Sequence, residues 1–383
     1  MSGESAAPKI ALVQPLLAHY RMRLFALLDH EQAFDFMFVS GGRDMAGVAR
    51  FPPDLVGIHV LAPIFWLGPI GWQRNVVRLA LSNAVDALIV PGDPHYLSAW
   101  VAAFIARLRG KPVLFWTHGW RRPERGLKRL LRLAFYRLAD RLLVYSERGK
   151  RLGVEAGYPG ERITVIFNSL DLDRADAVIE EIGRHESAAP PAVSFFADPA
   201  RPLLICTARL TQSCRFDVLL RAAALMRDQG RPANILLVGD GPMRSELAAL
   251  AQSLEVDVHF TGAVYDEEKL GSWLYHADVT VSPGKVGLTA VHSMMYGTPV
   301  ITHRNFDAQM PEVETIIEGE TGAFFDQGDE HDLARSIATW LDASQDRAVI
   351  RERCRAVIQD KWSPGNQARL IVESVGEMLD HKG

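Results

Sequence analysis

At 383 residues the chain is too long for one ordinary domain and long enough for two, each able to bury a core. With 48% apolar and 23% charged residues it has the composition of a globular protein rather than a disordered or fibrous one, and a net charge of −4 with an isoelectric point near 6.3 argues against nucleic acid as a partner. Three cysteines, Cys206, Cys214 and Cys354, lack the number and spacing of a disulfide framework or a zinc site, so a reducing, cytoplasmic setting is expected.

The opening MSGESAAPKIALVQP has no cationic leader region, and no later run has the uncharged length of a bilayer span. A first strand is expected at Lys9–Gln14 (KIALVQ), an apolar run of the kind buried in a parallel sheet, followed by helical spacing from Tyr20 onward. Between them, His19 and Arg21 occupy the turn at the carboxyl end of that strand, where a doubly wound sheet keeps its ligands. Further strands are expected at 34–39, 86–90, 112–116, 141–146 and 163–167, with a helix over 96–109. Asp93 and His95 follow the run at 86–90, and His118 follows that at 112–116. A loop or core histidine is the plainer reading of any one of these. In a parallel sheet, however, all three strand ends open on the same crevice, and their recurrence there marks a candidate site.

Residues 121–141 (RRPERGLKRLLRLAFYRLADR) hold eight basic residues, Arg121, Arg122, Arg125, Lys128, Arg129, Arg132, Arg137 and Arg141, against Glu124 and Asp140. Leu127, Leu130, Leu131, Ala134, Phe135 and Leu138 share one helical face. Most such runs are solvated faces of packed helices. Because this one continues from the loop of His118, it is expected to lie on an anionic membrane surface, each basic residue adding about 1 kcal/mol of attraction. That would make the protein peripheral at the inner face of the cytoplasmic membrane.

After Asp171 the composition shifts to a charged helix and then to a linker-like stretch at 185–191, HESAAPP. A first domain is therefore expected over 1–190 and a second over 200–362, with 363–383 a helix returning to the first. The second restarts the alternation: strand 203–207, helix 216–228, strand 234–238, helix 243–254, strand 258–261, helix 267–276. It then reaches VTVSPGKVGLTAVHSMMYGTPVI at 279–301, in which a strand ends in Ser282-Pro283-Gly284 and a helix is expected from Val286 to Gly297. Strand, glycine turn and helix N-terminus make an anion site whose natural ligand is a phosphate, although most strand-loop-helix units bind nothing. The expected fold class is α/β, two doubly wound Rossmann-like domains facing across a crevice that is the default ligand site.

The order Leu204 to Leu210 (LICTARL), Val238-Gly239-Asp240-Gly241-Pro242, Phe260-Thr261-Gly262, Asp278 to Pro283, Gly287-Leu288-Thr289, Gly297 to Val300, Pro311-Glu312-Val313 and Gly319 to Gly322 resembles the retaining glycosyltransferases of family 4, which have the GT-B fold. The resemblance is close over about 202–341 and looser in the first half, at Phe167 to Asp171 and His118. It implies transfer of a sugar from a nucleotide-diphosphate donor, held by the second domain, to a saccharide or lipid-linked acceptor held by the first, in the synthesis of cell-surface polysaccharide or glycoconjugate. It implies donor contacts from Gly239, Gly241, Gly262, Gly284, Lys285, Val286, Gly287, Leu288, Thr289 and His292, with His19, Arg21 and His95 on the acceptor side. Arg209 is the expected cation for the diphosphate.

The sequence departs from the family pattern in two places. Where a lysine usually follows the arginine by five positions stands Cys214, with Arg215 next to it as a substitute cation. The family's Glu-x7-Glu positions hold Gly284 and His292. The backbone N–H groups of Gly284, Lys285 and Val286 are then expected to orient the sugar, and His292 to accept a ribose hydroxyl proton. A glutamate restored at 292 is expected to be tolerated. Arg209, Arg215, Lys285 and the helix end would stabilise the leaving diphosphate, with no metal or other cofactor required. His118 would orient the sugar or acceptor, or merely pack under Trp120. A nucleotide-sugar 2-epimerase of the same fold and an inactive nucleotide-binding member are the alternatives.

Overall fold

The computed structural model describes residues 7–42, 52, 56–184, 194–343 and 346–380; the expected linker at 185–191 lies outside them. They form two compact units, one of the described residues up to Asp171 and from Ser363 onward, the other of Leu172–Trp362. Among the described residues no helix is long and apolar enough to cross a membrane.

The first unit runs β1 (Lys9–Gln14), α1 (Met22–Asp29), β2 (Asp35–Ser40), β3 (His59–Leu61), a hairpin of β4 (Ile64–Leu67) and β5 (Ile70–Gln73), α2 (Val76–Leu81), β6 (Ala87–Pro91), α3 (Leu97–Leu108), β7 (Val113–Trp116), α4 (Gly126–Tyr136), β8 (Arg141–Val144), α5 (Glu147–Glu155) and β9 (Ile163–Val165). Seven of its strands pair in parallel in the order β3-β2-β1-β6-β7-β8-β9. Ile10, Leu12, Ile89 and Leu114 are wholly buried, as strands covered on both faces require. The strand order changes direction between β1 and β6, so the loops after these two strands flank the switch point where such sheets bind ligands.

The basic segment is helical only over Gly126–Tyr136, and its core-facing residues are Leu133, Phe135 and Tyr136. Leu127, Leu130 and Leu131, which share a helical face with Phe135 in the sequence pattern, are exposed, whereas Phe135 is buried. Several of the eight cations are tied to the fold, Lys128 among them through a 3.4 Å contact with Glu124. Arg132 makes a two-pronged bond to the nearly buried Glu124 (2.6 and 2.9 Å), Arg129 donates to the carbonyl of Ala156 (2.9 Å), and Arg141 pairs with Glu377 (2.6 Å).

The second unit opens with α6 (Leu172–Arg184) and continues β10 (Leu203–Thr207), α7 (Phe216–Asp228), β11 (Asn234–Val238), α8 (Arg244–Ser253), β12 (Val258–Gly262), α9 (Glu267–His276), β13 (Val279–Ser282), α10 (Leu288–Met295), β14 (Val300–His303), β15 (Gly322–Phe325), α11 (Glu330–Asp342) and α12 (Arg347–Lys361). The division between units thus falls before α6, upstream of the linker-like stretch, because α6 packs on α9 and its Asp176 pairs with Arg355 of α12. Six parallel strands lie in the order β12-β11-β10-β13-β14-β15, and the switch point lies between β10 and β13. Finally α13 (Pro364–Asp380) rejoins the first unit, burying Ile371 and Val375 beside Ile10, Leu12 and Phe25. Its Gln367 donates to the carbonyl of Phe167 (2.8 Å) and accepts from the Ser169 hydroxyl (2.7 Å), holding a stretch in which Phe167 has a left-handed φ of 56°.

Candidate active site

In the second unit the loop after β10, which carries Arg209, is clamped by its neighbours through glycines. A side chain at Gly239 would begin 2.0 Å from the Ala208 carbonyl oxygen, one at Gly241 2.4 Å from that of Leu210, and one at Gly284 2.1 Å from that of Ser213. No residue with a Cβ fits these three contacts. The backbone closes over them: Ala208 donates to Val238 (3.0 Å), Leu210 to Asp240 (3.0 Å) and Gly284 to Cys214 (3.0 Å), while Gly239 donates to Gly262 (2.9 Å). Arg209 is exposed at the centre of this clamp, with no carboxylate paired to it among the described residues. Lys285 is likewise exposed, and Thr289 ties the start of α10 to the end of β10 by donating to the Thr207 carbonyl (2.9 Å).

Three expectations for this region need correction. The helix begins at Leu288, with Gly287 as its cap residue, not at Val286. The N–H groups of Gly284 and Val286 already serve the fold, the first bonded to Cys214 and the second to Oε1 of Gln309 (2.6 Å), so neither orients a sugar. Gln309, which also donates to Thr302 (3.0 Å) and to the His303 carbonyl (2.9 Å), fastens the turn where the sequence reads as helix. Arg215 has left-handed backbone (φ 52°) at the head of α7, and its guanidinium is bound by Asp217 (3.0 and 3.2 Å), a carboxylate shared with Arg221. Its charge is therefore partly spent on Asp217. Glu312, buried in the turn Pro311–Thr315, brings a carboxylate oxygen 4.0 Å from where a Gly287 side chain would begin.

His292, on the second turn of α10, meets a carboxylate that sequence reasoning missed. Its Nε2 lies 2.9 Å from Oε1 of Glu267 at the head of α9, and the Tyr296 hydroxyl donates to the same oxygen (2.6 Å). Burial by itself would raise the Glu267 pKa, but the bond from His292, then Tyr296 and the charge of Arg174, outweigh it and hold the carboxyl below its usual range. An ionised carboxylate only accepts, so Nε2 carries a proton, and Nδ1 is the ring nitrogen left for a ligand hydroxyl.

In the first unit the strand ends assemble a second cluster. Arg21, buried on the turn His19–Arg21, donates to the Tyr145 hydroxyl (2.7 Å) and to Oδ1 of Asn168 (3.2 Å), with its guanidinium over the rings of Trp116 (5.2 Å), Tyr20 and Tyr145 (both 5.5 Å). His118 stands edge-on to Tyr145 at 4.9 Å, so its packing partner is Tyr145 rather than Trp120. Its ring is open to solvent yet hemmed in by protein atoms; this confinement, then the charges of Arg21 and Arg121, push its pKa down and keep it neutral. Thr117 and Gly119 are anchored beneath it to Tyr136 and Arg132 of α4 (Thr117 to Tyr136 3.0 Å; Arg132 to Tyr136 3.0 Å and to the Gly119 carbonyl 3.4 Å). His95 is exposed and bonded to Asp93 (2.7 Å), and His19 is exposed beside Tyr20. The structure thus joins Arg21 and His118 through Tyr145, and leaves His19 and His95 exposed outside that contact.

Residues 201–343 match the model of the glycosyl transferases group 1, and residues 46–174 that of Glycosyltransferase Family 4, together more than half of the chain. The chain is a group 1 member with the GT-B fold. Among curated relatives of this group 1 chain, the GDP-mannose-dependent alpha-(1-6)-phosphatidylinositol dimannoside mannosyltransferase of Mycobacterium tuberculosis is 30% identical over 48% of this chain and 46% of its own length. The chain thus spans about half the length of that relative. Alpha-D-kanosaminyltransferase of Streptomyces kanamyceticus is 24% identical over 86% of this chain and 88% of its own. Of solved structures, HepE of Anabaena in complex with UDP superposes with a TM-score of 0.71 at 17% identity, covering 97% of this chain and 100% of that one. A glycosyltransferase from Rickettsia africae does so with a TM-score of 0.71 at 15% identity, covering 98% and 99%.

For this group 1 chain the Glu267 contact reverses the expectation for position 292. His292→Glu sets a second carboxylate against Glu267, and like charges so close cannot both ionise without cost. We expect His292→Ala to raise the donor KM more than it lowers kcat, and His292→Glu to lose more than His292→Ala. Steady-state kinetics with a nucleotide-sugar donor decide this; a glutamate variant with wild-type constants would sink the assignment.

Proposed function

We propose that the chain transfers a hexosyl group, with retention of anomeric configuration, from a nucleoside-diphosphate sugar bound in the second unit to a saccharide or lipid-linked acceptor engaged by the first. Its setting is the synthesis of cell-surface polysaccharide or glycoconjugate at the cytoplasmic face of a membrane. The observation that carries this reading is the clamped loop of Arg209, which holds an exposed arginine with no carboxylate paired to it among the described residues, on a loop that leaves β10 at the sheet's switch point, where Thr289 of α10 is tied to the end of β10. Relatives that use GDP-mannose and a neighbour that holds UDP support a nucleotide donor, and the phosphatidylinositol mannosides of the mannosyltransferases support a lipid-linked acceptor.

In this reading Arg209, Lys285 and the first-turn N–H groups of α10 take up the charge that grows on the diphosphate as its bond to the anomeric carbon breaks. The acceptor oxygen bonds to that carbon on the same face, and its proton passes to the departing phosphate. Neutral His118 orients sugar or acceptor, and Nδ1 of His292 meets a ribose hydroxyl. Incubation with a panel of nucleotide sugars, with and without a lipid-linked saccharide, tests the proposal. Donor turnover that depends on acceptor supports it; donor isomerisation alone, or no turnover, overturns it.

The membrane part of the reading rests on α4 and the segment before it. Arg122, Arg125 and Lys128 are exposed, as are Leu127, Leu130 and Leu131. Arg129 and Arg132 are left out of the test because both bond closely within the unit, whereas Lys128 meets Glu124 only at 3.4 Å and keeps most of its side chain in water. Co-sedimentation with vesicles should rise with the fraction of anionic lipid and fall with salt, since such attraction is screened over about 8 Å at physiological ionic strength. Changing Arg122, Arg125 and Lys128 together to Ser should weaken it about 10- to 100-fold at low salt. Unchanged sedimentation of this variant would remove α4 from the membrane account.

A further inference from the structure

The β4–β5 hairpin reverses the usual polarity of a surface ribbon. Its register pairs Phe65 with Trp72 and Leu67 with Ile70, so these four side chains share one face. All four are exposed, Leu67 by 82% and Phe65 by 58%. The opposite face is fastened to the body of the unit. Gly71 donates to the His95 carbonyl (2.8 Å), the Gln73 N–H to the Ser98 hydroxyl (3.0 Å) and Nε2 of Gln73 to the Gln14 carbonyl (3.0 Å). Gly71 leaves no space for a side chain, because the rings of Trp66 and Tyr96 lie 3.1 and 3.2 Å from where one would begin. An antiparallel ribbon with one face in water normally carries polar residues there. This one carries none, and its two strands form a ladder of their own rather than joining the seven-stranded one.

The charge around the hairpin favours one kind of cover. No Asp or Glu occurs between Asp54 and Asp86, and Arg74 and Arg78, just after β5, are both exposed. Elsewhere on the same unit Phe104 and Leu108 of α3 are exposed as well, and Leu127 of α4 is exposed by 84% among the cations of that helix. Apolar and tryptophan side chains rimmed by cations match the boundary between headgroups and acyl chains of an anionic bilayer. A second copy of the chain would fit less well, because it would bring its own Arg74 and Arg78 to the same contact.

We propose that the β4–β5 hairpin is a membrane-entering wedge whose Phe65, Leu67, Ile70 and Trp72 face sits in the headgroup boundary of an anionic bilayer. It rests on the membrane reading given above and adds to it the apolar anchor that charge alone does not supply. Because β5 is hydrogen-bonded to the carbonyls of Gln14 and His95, the wedge holds the acceptor-side loops at the membrane surface, within reach of a lipid-borne acceptor.

The test uses the full chain and vesicles of phosphatidylcholine mixed with phosphatidylglycerol, at low and at high salt. Binding of the wild-type chain should have a salt-resistant part, and brominated lipids should quench its tryptophan fluorescence. Phe65→Ser/Leu67→Ser/Ile70→Ser, with unchanged circular dichroism, should abolish that part and weaken binding about tenfold or more. If this variant binds as the wild type does while the Arg122, Arg125, Lys128 variant loses binding, the wedge is wrong and the membrane reading stands. No wild-type binding to any vesicle overturns both. A wild-type dimer by light scattering that the hairpin variant turns into a monomer overturns the wedge in favour of self-association.

Discussion

Arg209→Ala should lower kcat/KM for a nucleotide-sugar donor about 100- to 1,000-fold, the effect of roughly 2.7–4 kcal/mol that follows loss of one preorganised oxyanion donor. The expectation is large because the neighbouring cations cannot replace it. Arg215 is held by Asp217, and Lys285 sits on a different loop. The Arg209 side chain is exposed, so its removal should move folding stability by no more than about 0.5 kcal/mol. Arg209→Lys should recover part of the rate, keeping the charge but not the planar fork that suits a diphosphate. A wild-type kcat/KM in the alanine variant would mean that the donor phosphates bind elsewhere.

Gly284→Glu, the substitution that restores the family's usual residue, should damage the protein rather than improve it. The new Cβ would lie 2.1 Å from the Ser213 carbonyl oxygen and 2.8 Å from two backbone carbons of Cys214, so the loops after β10 and β13 must part. Overpacking of this kind costs about 1–3 kcal/mol, and a domain of this size loses about 2–4 °C in Tm per kcal/mol. Calorimetry should therefore show a Tm lower by about 2–12 °C in both Gly284→Ala and Gly284→Glu, with kcat/KM falling in parallel as Arg209 is displaced. Gly183→Ala, where a side chain meets nothing within 4 Å and alanine favours the helix α6, is the control that should leave kcat/KM unchanged and not lower Tm. If Gly284→Glu matched the wild type in Tm and turnover, the glycine clamp would not be what places the arginine.

Much of this site could be read before the structure, but unevenly. The strands Leu203–Thr207 and Asn234–Val238 and the helix Phe216–Asp228 fall where their patterns put them, since apolar runs in a doubly covered sheet leave few alternatives. Gly239, Gly241 and Gly284 were visible as motif residues, but their physical task, passing one backbone against another, needs coordinates. Glu267 and Gln309 gave no signal, because each acts on a residue more than twenty positions away, His292 and Val286. The helix starts at Leu288 rather than Val286, and local pattern cannot register the tertiary hydrogen bond from the Val286 N–H to Gln309. Gly284 in place of glutamate read as a loss of chemistry. In the fold it is a gain of close packing.

The return of α13 to the first unit has a consequence for biosynthesis. Leu172–Trp362 is one uninterrupted length of chain, whereas the first unit lacks Ile371 and Val375 of its core until the segment after Trp362 has been made. During translation the downstream unit can therefore close first, while the upstream sheet waits on the ribosome with the surface of Ile10, Leu12 and Phe25 uncovered. The usual vectorial order is inverted. Stalled or prematurely terminated synthesis would leave a finished second unit tethered to a sticky, incomplete first one, a natural client for chaperones.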